Sequence, residues 1–299
     1  MTEQIASLVE ERPRGLFGDA WHTLRHRALF WVAVSIILLV VLMAVFPGLF
    51  ASGDPNLAQL SRSRGAPSSE AWFGYDNQGY DIYTRVVHGA RASIVVGLLS
   101  TVGVVLVGAS IGMLAGFYGG WLDAVVSRIA DVFVGVPFVL GAIVILTTLN
   151  AGGDAGPVRI VAQVVLSISA LSWPVAMRIM RSTAIAAKQQ DYVKAARALG
   201  APSSRIIAKH MLPNCVAPVL VYSTIALGAF IGAEATLSYL GIGLRQPVVS
   251  WGVMINSAKD YLRVAPHALL FPAGFLTATV LAFVMLGDAV REALDPKLR

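Results

Sequence analysis

Asp191–Asn214 reads DYVKAARALGAPSSRIIAKHMLPN, a polar and basic island between two long apolar runs. Seven Lys/Arg lie between Arg178 and Lys209, against a single acid, Asp191. Positive charge next to apolar spans marks the cytoplasmic side of a membrane. The island also reads as structured. Tyr192 to Leu199 is a short Ala-rich helix stopped by Gly200 and Pro202. A second helix is expected from Ser203 or Ser204 to Met211, ending at Pro213. Helix–Gly–helix in a cytoplasmic loop offers a soluble partner something to grip.

The rest of the 299 residues agrees with a membrane setting. Hydrophobic residues make up 56% and charged residues 13%, with a mean hydropathy of +0.70. A soluble domain carries roughly 25% charge, so this chain lacks the polar surface to cover itself in water. The net charge of +6 is spread beside apolar spans, and no nucleic-acid reader motif accompanies it. Cys215 is the only cysteine, which excludes an intrachain disulfide and a Cys-rich metal site.

Six apolar runs are long enough to span, at roughly 29–50, 92–117, 129–149, 158–179, 215–236 and 268–287. The expectation is an all-α integral membrane protein with six transmembrane helices. The first run is too long for a signal-peptide core and reads as a retained span. Before it, Leu16, Phe17, Ala20 and Leu24 share one face of an amphipathic helix expected over Leu16–Arg27. With the N-terminus inside, fifteen of the 23 Lys/Arg fall on the cytoplasmic side, and the C-terminus is cytoplasmic too. The chain then divides into a cytoplasmic segment 1–28, a first span 29–50, an extracytoplasmic loop 51–91 and a five-helix core 92–299. That core carries the basic loop at about 185–214 and the C-terminal tail. A tight outer turn is expected at Gly152-Gly153-Asp154.

Glycine spacing points to close helix packing. Gly108, Gly112, Gly116 and Gly120 recur every four residues, and Gly228 and Gly232 repeat the device; such a face lets another helix approach. Pro137, Pro174, Pro218 and Pro272 interrupt four spans and are expected to kink them. Two acids sit in or near spans. Asp131 follows Arg128 by three residues and suits pairing or interface anchoring. Glu234 stands in an uncharged run from Val216 to Leu244 and fits either a cavity or the outer interface.

Lys194-Ala195-Ala196, Gly200, His210, Leu212 and Pro213 fall at the spacings of the Glu-Ala-Ala loop of ABC-transporter membrane subunits, which this stretch resembles. Lys194 replaces the first Glu and His210 the usual Ile. Further stretches are similar to the peptide and nickel branch of ABC importers. They are Trp72-Phe73-Gly74-Tyr75-Asp76 with Gly79-Tyr80-Asp81, Arg85, Gly89-Ala90-Arg91 and Ser93; Ser238–Gly243 with Gln246-Pro247 and Trp251–Ile255; and the tail Leu286-Gly287-Asp288 to Leu294–Arg299. Tyr75 and Tyr80 replace the family's Thr and Arg. The resemblance implies the C-type permease subunit, with type I importer architecture, in a bacterial-type plasma (inner) membrane.

What the resemblance implies for function follows from the family. Asp191, Tyr192, Lys194, Ala195, Ala196, Arg197, Leu199, Gly200, His210, Leu212 and Pro213 would form the surface coupling to the ATPase, Ala195, Ala196 and Gly200 allowing close docking. Gly108, Gly112, Gly116, Gly228 and Gly232 would serve helix packing. Glu234, Gly241, Gly243, Trp251 and Met254 would contribute to the pore or an outer gate, unless the Trp251–Tyr261 stretch is a plain aromatic helix at the outer surface. Partners would be a B-type permease in a heterodimer, two ABC ATPase subunits, an extracytoplasmic substrate-binding protein and membrane lipid. No cofactor is expected in this chain, and ATP-Mg would sit on the ATPases. Short peptides are the expected cargo, with nickel chelates, haem, opines and glutathione as alternatives.

The chain has no Gly-x-x-x-x-Gly-Lys-[Ser/Thr] and no His-Glu-x-x-His, and its one Gly-x-Ser-x-Gly, Gly108–Gly112, lies inside the second apolar run rather than at a strand-to-helix turn. It is therefore not expected to be an enzyme, nor to hold a metal. A secondary transporter would need intramembrane ion relays, and a membrane enzyme a paired catalytic set; the residues offer little for either.

Overall fold

The computed structural model describes residues 21–22, 24–150 and 156–294. Most of that length is helical. α1 is Ala28–Val45, α2 Ile82–Tyr118, α3 Gly120–Gly135, α4 Phe138–Asn150 and α5 Pro157–Lys188. α6 is Asp191–Ala198, α7 the continuous rod Ser203–Tyr239, α8 Trp251–Ala258 and α9 Pro266–Leu294. Among the described residues five helices are long and apolar enough to cross a membrane, or six if α3 and α4 count as one span.

α2 is the spine of the molecule, and it starts ten residues before the expected boundary. Its 37 residues extend about 55 Å, against a hydrocarbon core of about 30 Å. Residues 82–91, expected in the outer loop, form its first turns because each of their cations has a partner. The Arg85 guanidinium is buried 3.4 Å from Asp76 and lies over the Tyr80 ring at 4.1 Å. The Arg91 guanidinium donates to the carbonyls of Ala44 and Val45 (2.9 and 3.2 Å), the open end of α1. Asp81 caps the helix, its carboxylate accepting the Tyr83 and Thr84 N–H groups.

The third apolar run, expected as one span at 129–149, is two helices. α3 and α4 meet at 93° where Val136-Pro137 breaks the chain. A proline in mid-span removes one backbone hydrogen bond, and here the break is complete rather than a kink. Pro174, Pro218 and Pro272 remain inside continuous helices. The second loop helix does not end at Pro213. It runs on into the fifth apolar run, with Ile206–Met211 wound as a π-helix. This wider winding lies just before the ring that removes a donor.

α2 and α5 lie side by side with their backbones almost in contact. A Cβ at Gly108 would meet the Trp173 carbonyl oxygen at 2.6 Å and the Ala176 Cβ at 2.8 Å. One at Gly112 would strike the Met177 carbonyl, and one at Gly116 the Ala184 Cβ and the Arg181 carbonyl. Gly120 leaves this series: with φ +60° and open space around it, it opens α3 just after the turn at Gly119. Gly228 packs on Phe283 and Val280 of α9, whereas Gly232 reaches only Val280, at 4.0 Å.

Ion pairs fasten α3 to α5. Arg181 grips the Asp123 carboxylate with two nitrogens. Asp131 pairs with Arg178 at 2.7 Å as well as with Arg128 at 3.7 Å. Leu24 is buried against Phe30, Ala289 and Ala293. Leu16, Phe17 and Ala20, the Gly152-Gly153-Asp154 turn and the tail beyond Leu294 lie outside the described residues.

Gly112→Leu is expected to force α2 and α5 apart, costing about 1–3 kcal/mol and lowering the melting temperature in mild detergent. Gly135→Ala, where a Cβ meets nothing within 4 Å, is expected to leave that melt unchanged. Equal melts for the two variants would refute the close-approach argument.

Candidate functional site

The basic loop folds as a lever seated on the helix bundle. α6 buries Val193 and Ala196, its two inward residues, against Met113 and Phe117 of α2, Met180 and Ala184 of α5, and Met211 and Cys215 of α7. Asp191, Lys194, Ala195, Arg197, Leu199 and Gly200 point away from the bundle, and Leu199 is 88% exposed, whereas the Tyr192 side chain reaches back to Asn214 of α7. Ala196 thus departs from the expectation that it lies on the docking face: its small side chain serves the seat of α6. Lys194 pairs with Asp191 at 3.2 Å, three residues back. Such an exposed pair adds little stability.

Gly200 ends α6 with two bonds, Gly200 N–H to the Arg197 carbonyl (3.0 Å) and Ala201 N–H to the Ala196 carbonyl (3.1 Å). This closure requires a left-handed residue, and Gly200 has φ +76°. Within this chain the residue serves the turn, since a Cβ there would meet nothing within 4 Å. His210 is half-buried on the π-helical stretch, its carbonyl accepting from Asn214 at 2.7 Å, while Leu212 and Pro213 are exposed.

A second constellation lies near the opposite end of α7. Glu234 is wholly buried, and its carboxylate accepts three hydroxyls. Ser93 of α2 donates at 3.0 Å, Ser238 at 2.7 Å and Ser250 at 2.9 Å. Each hydroxyl in turn accepts a backbone N–H: Ser93 from Trp251, Ser238 from Leu244 and Ser250 from Val253. Ser250 is thereby the cap of α8. Trp251 is fully buried, its indole N–H donating to the Val86 carbonyl at 2.9 Å. Gly241, at φ +80°, closes α7 as Gly200 closes α6, and the Gly243 N–H donates to the Leu237 carbonyl at 2.9 Å.

Glu234, Gly241, Gly243, Trp251 and Met254 are therefore brought together, but Glu234, Trp251 and Met254 are buried inside this chain. They hold the connection between α7 and α8 in place and present no lining surface. Trp251 is likewise not an aromatic at a membrane surface. The serine partners follow from short spacings that sequence reasoning passed over: Ser238 is one turn after Glu234, and Ser250 immediately precedes α8.

Known proteins place this architecture. The family described as "Binding-protein-dependent transport system inner membrane component" matches residues 108–299. The "N-terminal TM domain of oligopeptide transport permease C" matches residues 15–67. The chain is 36% identical to the dipeptide transport system permease protein DppC of Alkalihalophilus pseudofirmus, over 94% of this chain and 90% of that protein. It is also 36% identical to the oligopeptide transport system permease protein OppC of Bacillus subtilis, over 98% and 94%. To the glutathione transport system permease protein GsiD of Escherichia coli it is 35% identical, over 94% and 90%. In fold it is similar to the methionine ABC transporter MetNI, solved in inward-facing conformations, with a TM-score of 0.57 at 19% identity. That alignment covers 71% of this chain and 96% of that one.

The chain is a multi-pass membrane protein of the binding-protein-dependent transport family, an inner-membrane component. More particularly, it is a permease subunit of an ABC importer from the peptide and glutathione branch.

Glu234→Ala leaves three buried hydroxyls without their acceptor and is expected to cost about 3 kcal/mol or more. Glu234→Gln, which keeps one carbonyl acceptor, is expected to cost less. Detergent melting curves for both variants check the order. At the other end, Gly200→Asn is expected to melt close to the parent and Gly200→Val about 1–2 kcal/mol below it.

Proposed function

We propose that this subunit forms one half of a translocation path for short peptides, in a heterodimer with a B-type permease. Two ABC ATPases drive the assembly through the loop 191–214, and ATP-Mg binds on those ATPases. An extracytoplasmic binding protein delivers the cargo. The loop and both termini face the cytoplasm; the bias of Lys/Arg toward that side supports this orientation.

The observation that carries the reading is the two-faced build of α6. Val193 and Ala196 lock it to α2, α5 and α7, while Leu199, Arg197 and the exposed Lys194–Asp191 pair face outward. Short connections join it to α5 through Gln189-Gln190 and to α7 through Leu199–Pro202. A push on α6 therefore reaches both helices without a slack linker. ATP-driven movement of the ATPase pair supplies the push, and the permease helices tilt between inward-open and outward-open states. With Lys194 where the family carries Glu, the ATPase groove presents an acid, or at least no lysine, at that place.

Cargo chemistry is supported by the dipeptide, oligopeptide and glutathione permeases that the chain resembles at 35–36% identity. Glutathione is itself a tripeptide, so one amide-bearing, zwitterionic class covers all three. Peptide uptake into vesicles holding the full importer tests this. Leu199→Asp is expected to abolish ATP-dependent uptake while the permease stays folded and inserted. Lys194→Glu is expected to lower transport-coupled ATP hydrolysis several-fold. Uptake unchanged by Leu199→Asp would overturn the docking role of α6.

A further inference from the structure

An apolar groove of about 490 Å³ opens between the N-terminal halves of α2 and α5. Arg91, Val95 and Leu99 follow at spacings of four and form one stripe of α2 along it. Val158 and Val161 of α5 lie across from them, and Val158 is 83% exposed. His88 and Arg91 stand at the groove's polar end.

Three properties of the groove narrow its occupant. First, Arg91 is held in place by the α1 carbonyls, yet among the described residues no carboxylate pairs with it. The His88 ring bonds the Thr84 carbonyl at 2.9 Å through one nitrogen, leaving the other for a ligand. Second, the stripe from Arg91 to Leu99 rises about 12 Å, close to one leaflet's share of a hydrocarbon core of about 30 Å. Third, helix-on-helix contacts in membranes favour small residues. The α2–α5 contact farther along shows that pattern at Gly108–Gly116; this groove is lined mainly by branched aliphatics, with Ala92 and Ala162 between them, and ends on a guanidinium and an imidazole.

We propose that this groove binds one acyl chain of an anionic phospholipid, whose phosphate rests on Arg91 and His88. The lipid comes from the leaflet that meets the N-terminal ends of α2 and α5. It fills the cleft beside the ends of α1 and the 248–249 segment and braces the part of α2 that carries Ser93. This is independent of the cargo and of the ATPase contact proposed above.

Native mass spectrometry of the complete purified assembly, titrated with dioleoylphosphatidylglycerol and with dioleoylphosphatidylcholine, tests it. We expect saturable retention of one phosphatidylglycerol, preferred over phosphatidylcholine. Arg91→Gln should reduce that preference about fivefold, the share of one basic residue near an anionic lipid. Because Arg91 also closes α1, a second variant is needed. Ala162→Phe fills the groove from an exposed position and should lower retention of both lipids at least tenfold while the melt is kept. Absence of saturable lipid, or retention unchanged by Ala162→Phe, overturns the proposal. So does release of a second permease subunit by Ala162→Phe with lipid binding intact, which would make the groove a protein interface.

Discussion

The carboxylate of Glu234 is the point on which the non-loop end of this molecule depends. Among the described residues it has no charged partner within hydrogen-bond reach, only three serine hydroxyls from α2, α7 and the residue that caps α8. In an apolar setting a buried acid must be hydrogen-bonded to persist. Satisfying it therefore fixes where those three elements meet. Each serine also takes a backbone N–H from the segment 244–253, so groups that a short irregular connection would leave open are accounted for. Trp251, seated on the Val86 carbonyl, closes the same joint from the α2 side.

α2 carries this joint to the other end of the molecule. Its Ser93 belongs to the acid cluster, and Gly108, Gly112 and Gly116 further along hold α5 against it backbone to backbone. Met113 and Phe117, on the same helix, floor the seat of α6. One rigid helix thus touches both the buried acid and the loop expected to meet the ATPase. Rigid elements with discrete packing transmit displacement better than compliant ones. The glycine contacts matter here because a close backbone approach leaves little play for sliding.

Much of this was legible in the residues because hydropathy and glycine spacing report local chemistry. The apolar runs located the spans, and the Gly108–Gly116 series located the face on which α5 packs. The loop 191–214 was visible as a charged island, and Gly200 as its stop. The misreadings share a physical origin. Residues 82–91 read as a loop because Arg85, His88 and Arg91 spoil an apolar pattern, yet Asp76, Tyr80 and the end of α1 accommodate the two arginines. Pro137 suggests a kink, and whether a proline bends a helix or breaks it depends on what its neighbours can offer the freed carbonyl. The resemblance puts Ala196 on the coupling surface because a family pattern gives spacing without direction, and a turn of 3.6 residues decides which side faces in.

The sequence by itself determined the class: a basic-flanked, six-run membrane chain, with spacings that resemble an ABC-importer permease. Those are properties of single segments and of covalent order, which need no partner in space. Only the tertiary structure decided that Glu234 is buried among three serine hydroxyls, that the 129–149 run is two helices at 93°, and that α6 turns Val193 inward while Leu199 at its end is exposed. Each of these depends on which groups from distant parts of the chain arrive to satisfy a charge, a freed carbonyl or an apolar face. Hydrogen bonding and burial are settled between segments, and local sequence carries no record of who comes to meet it.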